Sequence, residues 1–163
     1  MKSLLHLRTA VILGAALAAC AAQGVEPDFS PDRYNVTWDS PSKDQNGSMP
    51  LGNGSTGLNA WIEPSGDLVF YISRTDSWGD NGRLLKVGKV RITLKPAPST
   101  YDFLQTPILS DGTLIARCGE TDIRLVVDAN HSLIHAELNG PDETEATAAI
   151  ELWRTKQVSI PSS

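Results

Sequence analysis

From Leu58 to Trp153 apolar residues recur with a period close to two, in short runs broken by Gly, Pro, Asn and Asp. That pattern predicts half-buried β-strands, because alternate side chains of a strand point to opposite faces. Leu58-Asn59-Ala60-Trp61-Ile62 stops at Glu63-Pro64-Ser65-Gly66-Asp67 and is followed by Leu68 to Ser73. Proline and glycine between two β-prone runs predict a hairpin. Val87 to Leu94 alternates from Val90 onward, so Val90, Ile92 and Leu94 share one face, and Pro96 and Pro98 end the strand because neither can donate to a ladder.

A meander is predicted next. Thr113 to Cys118 turns at Gly119-Glu120-Thr121 into Asp122 to Val127, with Ile123, Leu125 and Val127 inward. Asp128-Ala129-Asn130 turns into Ser132 to Leu138, and Asn139-Gly140-Pro141-Asp142 closes that strand. Ala146 to Trp153 supplies a last strand with Ala148, Ile150 and Leu152 on one side, although the Ala-rich stretch Glu143 to Leu152 is also compatible with a helix. The fold class expected is all-β, an antiparallel β-sandwich over residues 33–158, with 159–163 as its end or the start of a linker.

The first 32 residues follow another rule. Lys2 and Arg8 precede the apolar run Thr9 to Ala19, which has signal-peptide length and is too short for a bilayer span. The run closes in Leu17-Ala18-Ala19-Cys20, similar to a bacterial lipobox. The expectation is a lipoprotein-type signal peptide over 1–19, lipidation of Cys20, and a tether over 20–32. The chain would be exported and lipid-anchored in the bacterial envelope through Cys20, or periplasmic or secreted if cleavage is ordinary. With Cys20 acylated, Cys118 is the one other thiol, which excludes a disulfide framework and a cysteine zinc site. Its strand context favours a buried small side chain over a nucleophile. The 14 Lys+Arg against 19 Asp+Glu, net −5, argue against a nucleic-acid partner.

Candidate chemistry is sparse. His131 and His135 are four apart, but on a strand, with no acid placed to complete a metal site. Asp76, Asp80 and Asn81 crowd one loop without an EF-hand spacing. No metal and no cofactor are expected, and the chain has neither a Walker phosphate loop nor a Gly-x-Ser-x-Gly elbow. Two segments stand apart. Met49 to Trp61 holds Gly52, Gly54 and Gly57, which call for tight turns or close backbone approach ahead of a strand. Ile72 to Arg83 is read as a strand running into a polar loop, where Trp78 is flanked by Asp76, Asp80 and Arg83. An aromatic among such groups stacks on a sugar face and hydrogen-bonds its hydroxyls, yet a Trp at a domain interface has the same sequence signature.

These segments carry a resemblance. Tyr34-Asn35-Val36-Thr37-Trp38-Asp39-Ser40-Pro41, Met49-Pro50-Leu51-Gly52-Asn53-Gly54, Asp76-Ser77-Trp78 and Val87-Gly88-Lys89-Val90-Arg91-Ile92 occur in that order. The set resembles the amino-terminal region of bacterial glycoside hydrolases similar to family 95 α-L-fucosidases, closest to the uncharacterised-domain family 5703. The resemblance implies a β-super-sandwich followed by a linker and a catalytic (α/α)6 barrel, with sandwich loops rimming the sugar pocket. It implies carbohydrate as ligand, the helical barrel of a full-length protein as partner, and Asn53, Asp76 and Trp78 as substrate contacts. No position in this chain receives the barrel's catalytic carboxylates, so the chain alone is expected to be inactive. Ser55-Thr56 replace a bulkier pair of the fucosidases, so fucose specificity is not carried over. A free-standing carbohydrate-binding module and a structural envelope lipoprotein are the alternatives. A sandwich with fewer strands than those relatives is also expected to expose a sheet edge and to aggregate.

Overall fold

The computed structural model describes residues 29–153. The expected signal peptide, the Cys20 lipidation site and the segment 159–163 lie outside the described residues. Among those described, nine strands form two antiparallel sheets: β1 Met49–Gly52, β2 Thr56–Ile62, β3 Leu68–Trp78, β4 Leu84–Lys95, β5 Leu104–Ile108, β6 Thr113–Cys118, β7 Thr121–Val127, β8 Ile134–Asn139 and β9 Glu145–Glu151. The first sheet has the order β1-β2-β3-β4-β9 and the second β5-β6-β7-β8. The chain is an all-β sandwich, as its alternation predicts.

Register explains the core. Ala60 faces Phe70 and Ile62 faces Leu68 across β2 and β3, and Phe70 in turn faces Val90 on β4. On the other sheet Ala116 pairs with Ile123 and Leu114 with Leu125. These residues meet in one apolar layer that also takes in Met49, Ile92, Leu94, Phe103 and Cys118. The predicted inward set Ile123, Leu125 and Val127 is buried. Burial of this apolar area is what holds the two sheets together.

The structure corrects several boundaries. β3 does not end at Ser73 but continues to Trp78, so Asp76 and Trp78 lie on a strand rather than in a loop. The ladder to β4 is irregular between Ser73 and Trp78, which lets polar residues ride on a strand that no longer alternates cleanly. β4 starts at Leu84 instead of Val87. The Ala-rich segment is strand β9, paired with β4 so that Ile150 faces Val90 and Ala148 faces Ile92. Its inner side is nevertheless open: Ile150 is 74% exposed, and Leu152, beyond the strand's end, is 65% exposed. β1 and β5 are additional strands. Each contains a proline, Pro50 and Pro107, and each lies at the end of its sheet, where a missing donor is tolerated.

The outer face of the first sheet is partly covered. Trp61 and Val69 point away from the main core yet are buried, and the segment before β1 lies against β2. Ser42 N donates to Ile62 O at 2.9 Å, and the 3-10 turn Gln45–Gly47 rests on β2. Trp38 closes the other side by exchanging two backbone hydrogen bonds with Gln105.

Candidate functional site

The glycine-rich segment becomes the β1–β2 turn. Gly54 takes φ +90°, open only to glycine without strain, and a Cβ on Gly52 would sit 2.9 Å from Thr56 O. Asn53 between them is engaged at both ends of its amide. Its Oδ1 accepts from Ser55 N (3.0 Å), Ser55 Oγ (3.1 Å) and Thr56 N (2.8 Å), while Nδ2 donates to Asp128 O (2.7 Å) and His131 O (3.1 Å). Asn53 therefore ties the β1–β2 turn of one sheet to the β7–β8 loop of the other.

Asp76 is paired within its own strand. Arg74 donates from Nε to Oδ1 at 2.9 Å and from Nη2 to Oδ2 at 3.0 Å, a planar two-point match. These hydrogen bonds hold the Asp76 carboxyl below the usual carboxylate range. Arg74 also reaches Ser132 Oγ at 2.6 Å, so Asn53 and Asp76 are linked to the same β7–β8 loop. Trp78 lies farther out, opposite Leu84. The residue is 60% exposed, with its indole N–H spent on Thr75 O at 2.8 Å. Asp80 belongs to the hairpin tip, where Gly79 N bonds Arg83 O.

Asp128 is the residue that sequence reasoning missed. It sits between the two histidines, with Oδ1 2.9 Å from His131 Nδ1 and Oδ2 3.9 Å from His135 Nε2. Oδ1 also accepts from the backbone N–H groups of Asn130 and His131, and these bonds lower the Asp128 pKa, that from Asn130 most. An Asp two and three residues ahead of loop amides is the signature of an Asx turn, and that signal was present in Asp128-Ala129-Asn130-His131. Among the described residues no group of three His, Cys, Asp or Glu side chains forms a site able to hold a metal.

A second assembly occupies the outer face of the first sheet. Arg91 donates to Glu63 (2.7 and 3.1 Å), Asp67 (2.8 Å) and Glu151 (2.6 Å), and Lys89 also pairs with Glu151. The Glu151 carboxyl is held below its ordinary range by Lys89 and then Arg91, the reverse of what a general acid needs. Beside it, Tyr71 meets Trp61 and Trp153 edge-on, each with ring centroids 5.1 Å apart. Lys86 Nζ stands 4.7 Å from the Tyr71 centroid and 5.4 Å from that of Trp153.

The class of protein is thus an antiparallel two-sheet β-sandwich whose turns are cross-tied at one end. The model of the family described as Domain of unknown function (DUF5703), in its amino-terminal part, matches residues 37–163, and the chain belongs to that family. Among curated proteins none matches the chain.

Proposed function

We propose that this chain is the amino-terminal β-sandwich domain of an exported, lipid-anchored glycoside hydrolase-like protein that acts in carbohydrate degradation. The exposed indole of Trp78 carries the reading. A flat apolar ring with its N–H already satisfied offers its faces to the C–H side of a pyranose. Asp76, held ionised by Arg74, supplies a fixed acceptor for sugar hydroxyls on the same strand. Asn53 acts by positioning, since it holds the turn and the facing loop together. Hydrolysis belongs to the helical barrel that the resemblance to family 95 implies, and Cys20 is the point of lipid attachment.

A second reading is favoured by a separate observation. Ile150 and Leu152 are 74% and 65% exposed at the open side of the first sheet, and a helical domain packed there would bury them. Trp78 would then belong to an interdomain contact.

Affinity electrophoresis of the purified chain in a panel of soluble polysaccharides separates the two. At least one polymer should retard the protein, and Trp78→Ala should weaken that retardation about tenfold while the thermal melt is unchanged. Retardation by no polymer would overturn the sugar-contact reading and favour the interface. Cleavage of chromogenic glycosides by the chain alone would overturn the assignment of catalysis to the barrel.

A further inference from the structure

We propose that the outer face of the first sheet carries a second carbohydrate subsite, selective for acidic sugars and built on Arg83, Lys86, Tyr71 and Trp153. This rests on the carbohydrate reading above and adds a charge class and a place. The ladder between β4 and β9 begins at Lys89 opposite Glu151, so β4 runs on past the end of its neighbour. Leu152 and Trp153 turn across the space left beside Leu84–Gly88. They leave a hollow of about 440 Å³ between Arg83, Leu84, Lys86 and Val87 on one side and Leu152 and Trp153 on the other. A second hollow, of about 400 Å³, opens over Tyr71, Asn59 and Gln45, and Lys86 lines both.

The electrostatics select the ligand. On this sheet Arg91 is occupied by Glu63, Asp67 and Glu151, Lys89 by Glu151, and Arg74 by Asp76. Arg83 and Lys86 have no carboxylate partner among the described residues, although the chain as a whole is at −5. The Lys86 ammonium is instead held against the Tyr71 and Trp153 rings, which fixes a positive charge without neutralising it. Trp153 is 46% exposed, so part of this aromatic stays open to a ligand beside that charge. Gln45 spends its Oε1 on the Tyr71 hydroxyl, which leaves its amide hydrogens for a sugar oxygen. A pyranose carrying a carboxylate satisfies all three features together: the ring on Trp153, the carboxylate toward Lys86 and Arg83, and hydroxyls toward Gln45 and Asn59. A neutral sugar would leave both cations unanswered.

Titration calorimetry of the purified chain with polygalacturonate oligomers tests this, with fully methyl-esterified oligomers of the same length as the uncharged comparison. The acidic oligomers should bind about tenfold more tightly than the esters, and added salt should narrow that difference. Lys86→Gln and Trp153→Ala should each weaken acidic-oligomer binding about tenfold at an unchanged melting temperature, and Trp78→Ala should not. Loss with Lys86→Gln but none with Trp153→Ala would mean charge adsorption only and would overturn the subsite. Binding of neutral glycans through Trp78 without any preference for uronates would overturn this inference and leave the carbohydrate reading standing. Absence of binding to every glycan would overturn both.

Discussion

Arg91 is the side chain on which most of the outer face depends. One guanidinium answers Glu63, Asp67 and Glu151, and its own pKa is raised by those hydrogen bonds, that from Glu63 foremost. Without it three carboxylates would crowd a partly covered surface, with only Lys89 left on Glu151. Arg91→Met is expected to cost about 2–4 kcal/mol, measured by urea unfolding at pH 7. The deficit should shrink as the pH falls below about 4.5, where carboxylates take up protons; a pH-independent deficit would count against the repulsion account. In the parent chain the sign is the opposite. Glu151 is depressed from 4.5, and Asp76 and Asp128 from 3.8, so their contribution is present above those values and lost as the pH falls through the lower folded ones. Asn53 shows how far the sequence could be read at this scale. A turn is legible in Gly52-Asn53-Gly54, but the carbonyls its amide reaches lie 75 and 78 residues away, at a distance no local pattern encodes.

At the scale of elements the period-two runs located β2, β6, β7 and β8 to within a few residues, because each turns alternate side chains toward the core. β1 and β5 escaped that reading, being short, proline-bearing and partly exposed. The far half of β3 escaped it as well: where the opposite sheet no longer covers a strand, nothing enforces alternation. β9 is the strand expected of the Ala-rich run and ends its sheet among the described residues, but the side carrying Ala148 and Ile150 is exposed and Leu152 falls beyond the strand. Glu145–Glu151 lacks lysine, proline and a bulge, the devices that blunt an edge. The chain should therefore self-associate with rising concentration, and Ile150→Lys should suppress this while changing stability by less than about 0.5 kcal/mol. Sedimentation velocity and urea melts check both parts. A wild-type chain that stays monomeric at every concentration, or a variant that loses much stability, would count against β9 as the sticky edge.

For the molecule as a whole, Cys118 reports on the integrity of the sandwich. It is fully buried, and desolvation pushes its thiol up from 9.0 to about 11. Alkylation at pH 8 in the native state should be slow and should accelerate with denaturant in parallel with global unfolding. Fast labelling of folded protein would place an opening motion between the sheets. Linkage has a definite sign here too: the unfolded thiol ionises first, so stability falls as the pH rises from about 9 toward about 11.

The amino-acid sequence by itself determined the fold class, most strand positions and the side of each strand that faces inward. These follow from local alternation, which water and an apolar core impose on every half-buried strand alike. Tertiary structure alone decided which strands share a sheet and how far one sheet covers the other. It also buried Trp61 and Val69 on the outer face and set Asp128 between two histidines. Among the described residues it left Arg83 and Lys86 without carboxylates while Arg91 gathered three. Those outcomes depend on residues far apart in the chain meeting at a few ångströms, and many different pairings of the same strands would satisfy one alternation pattern.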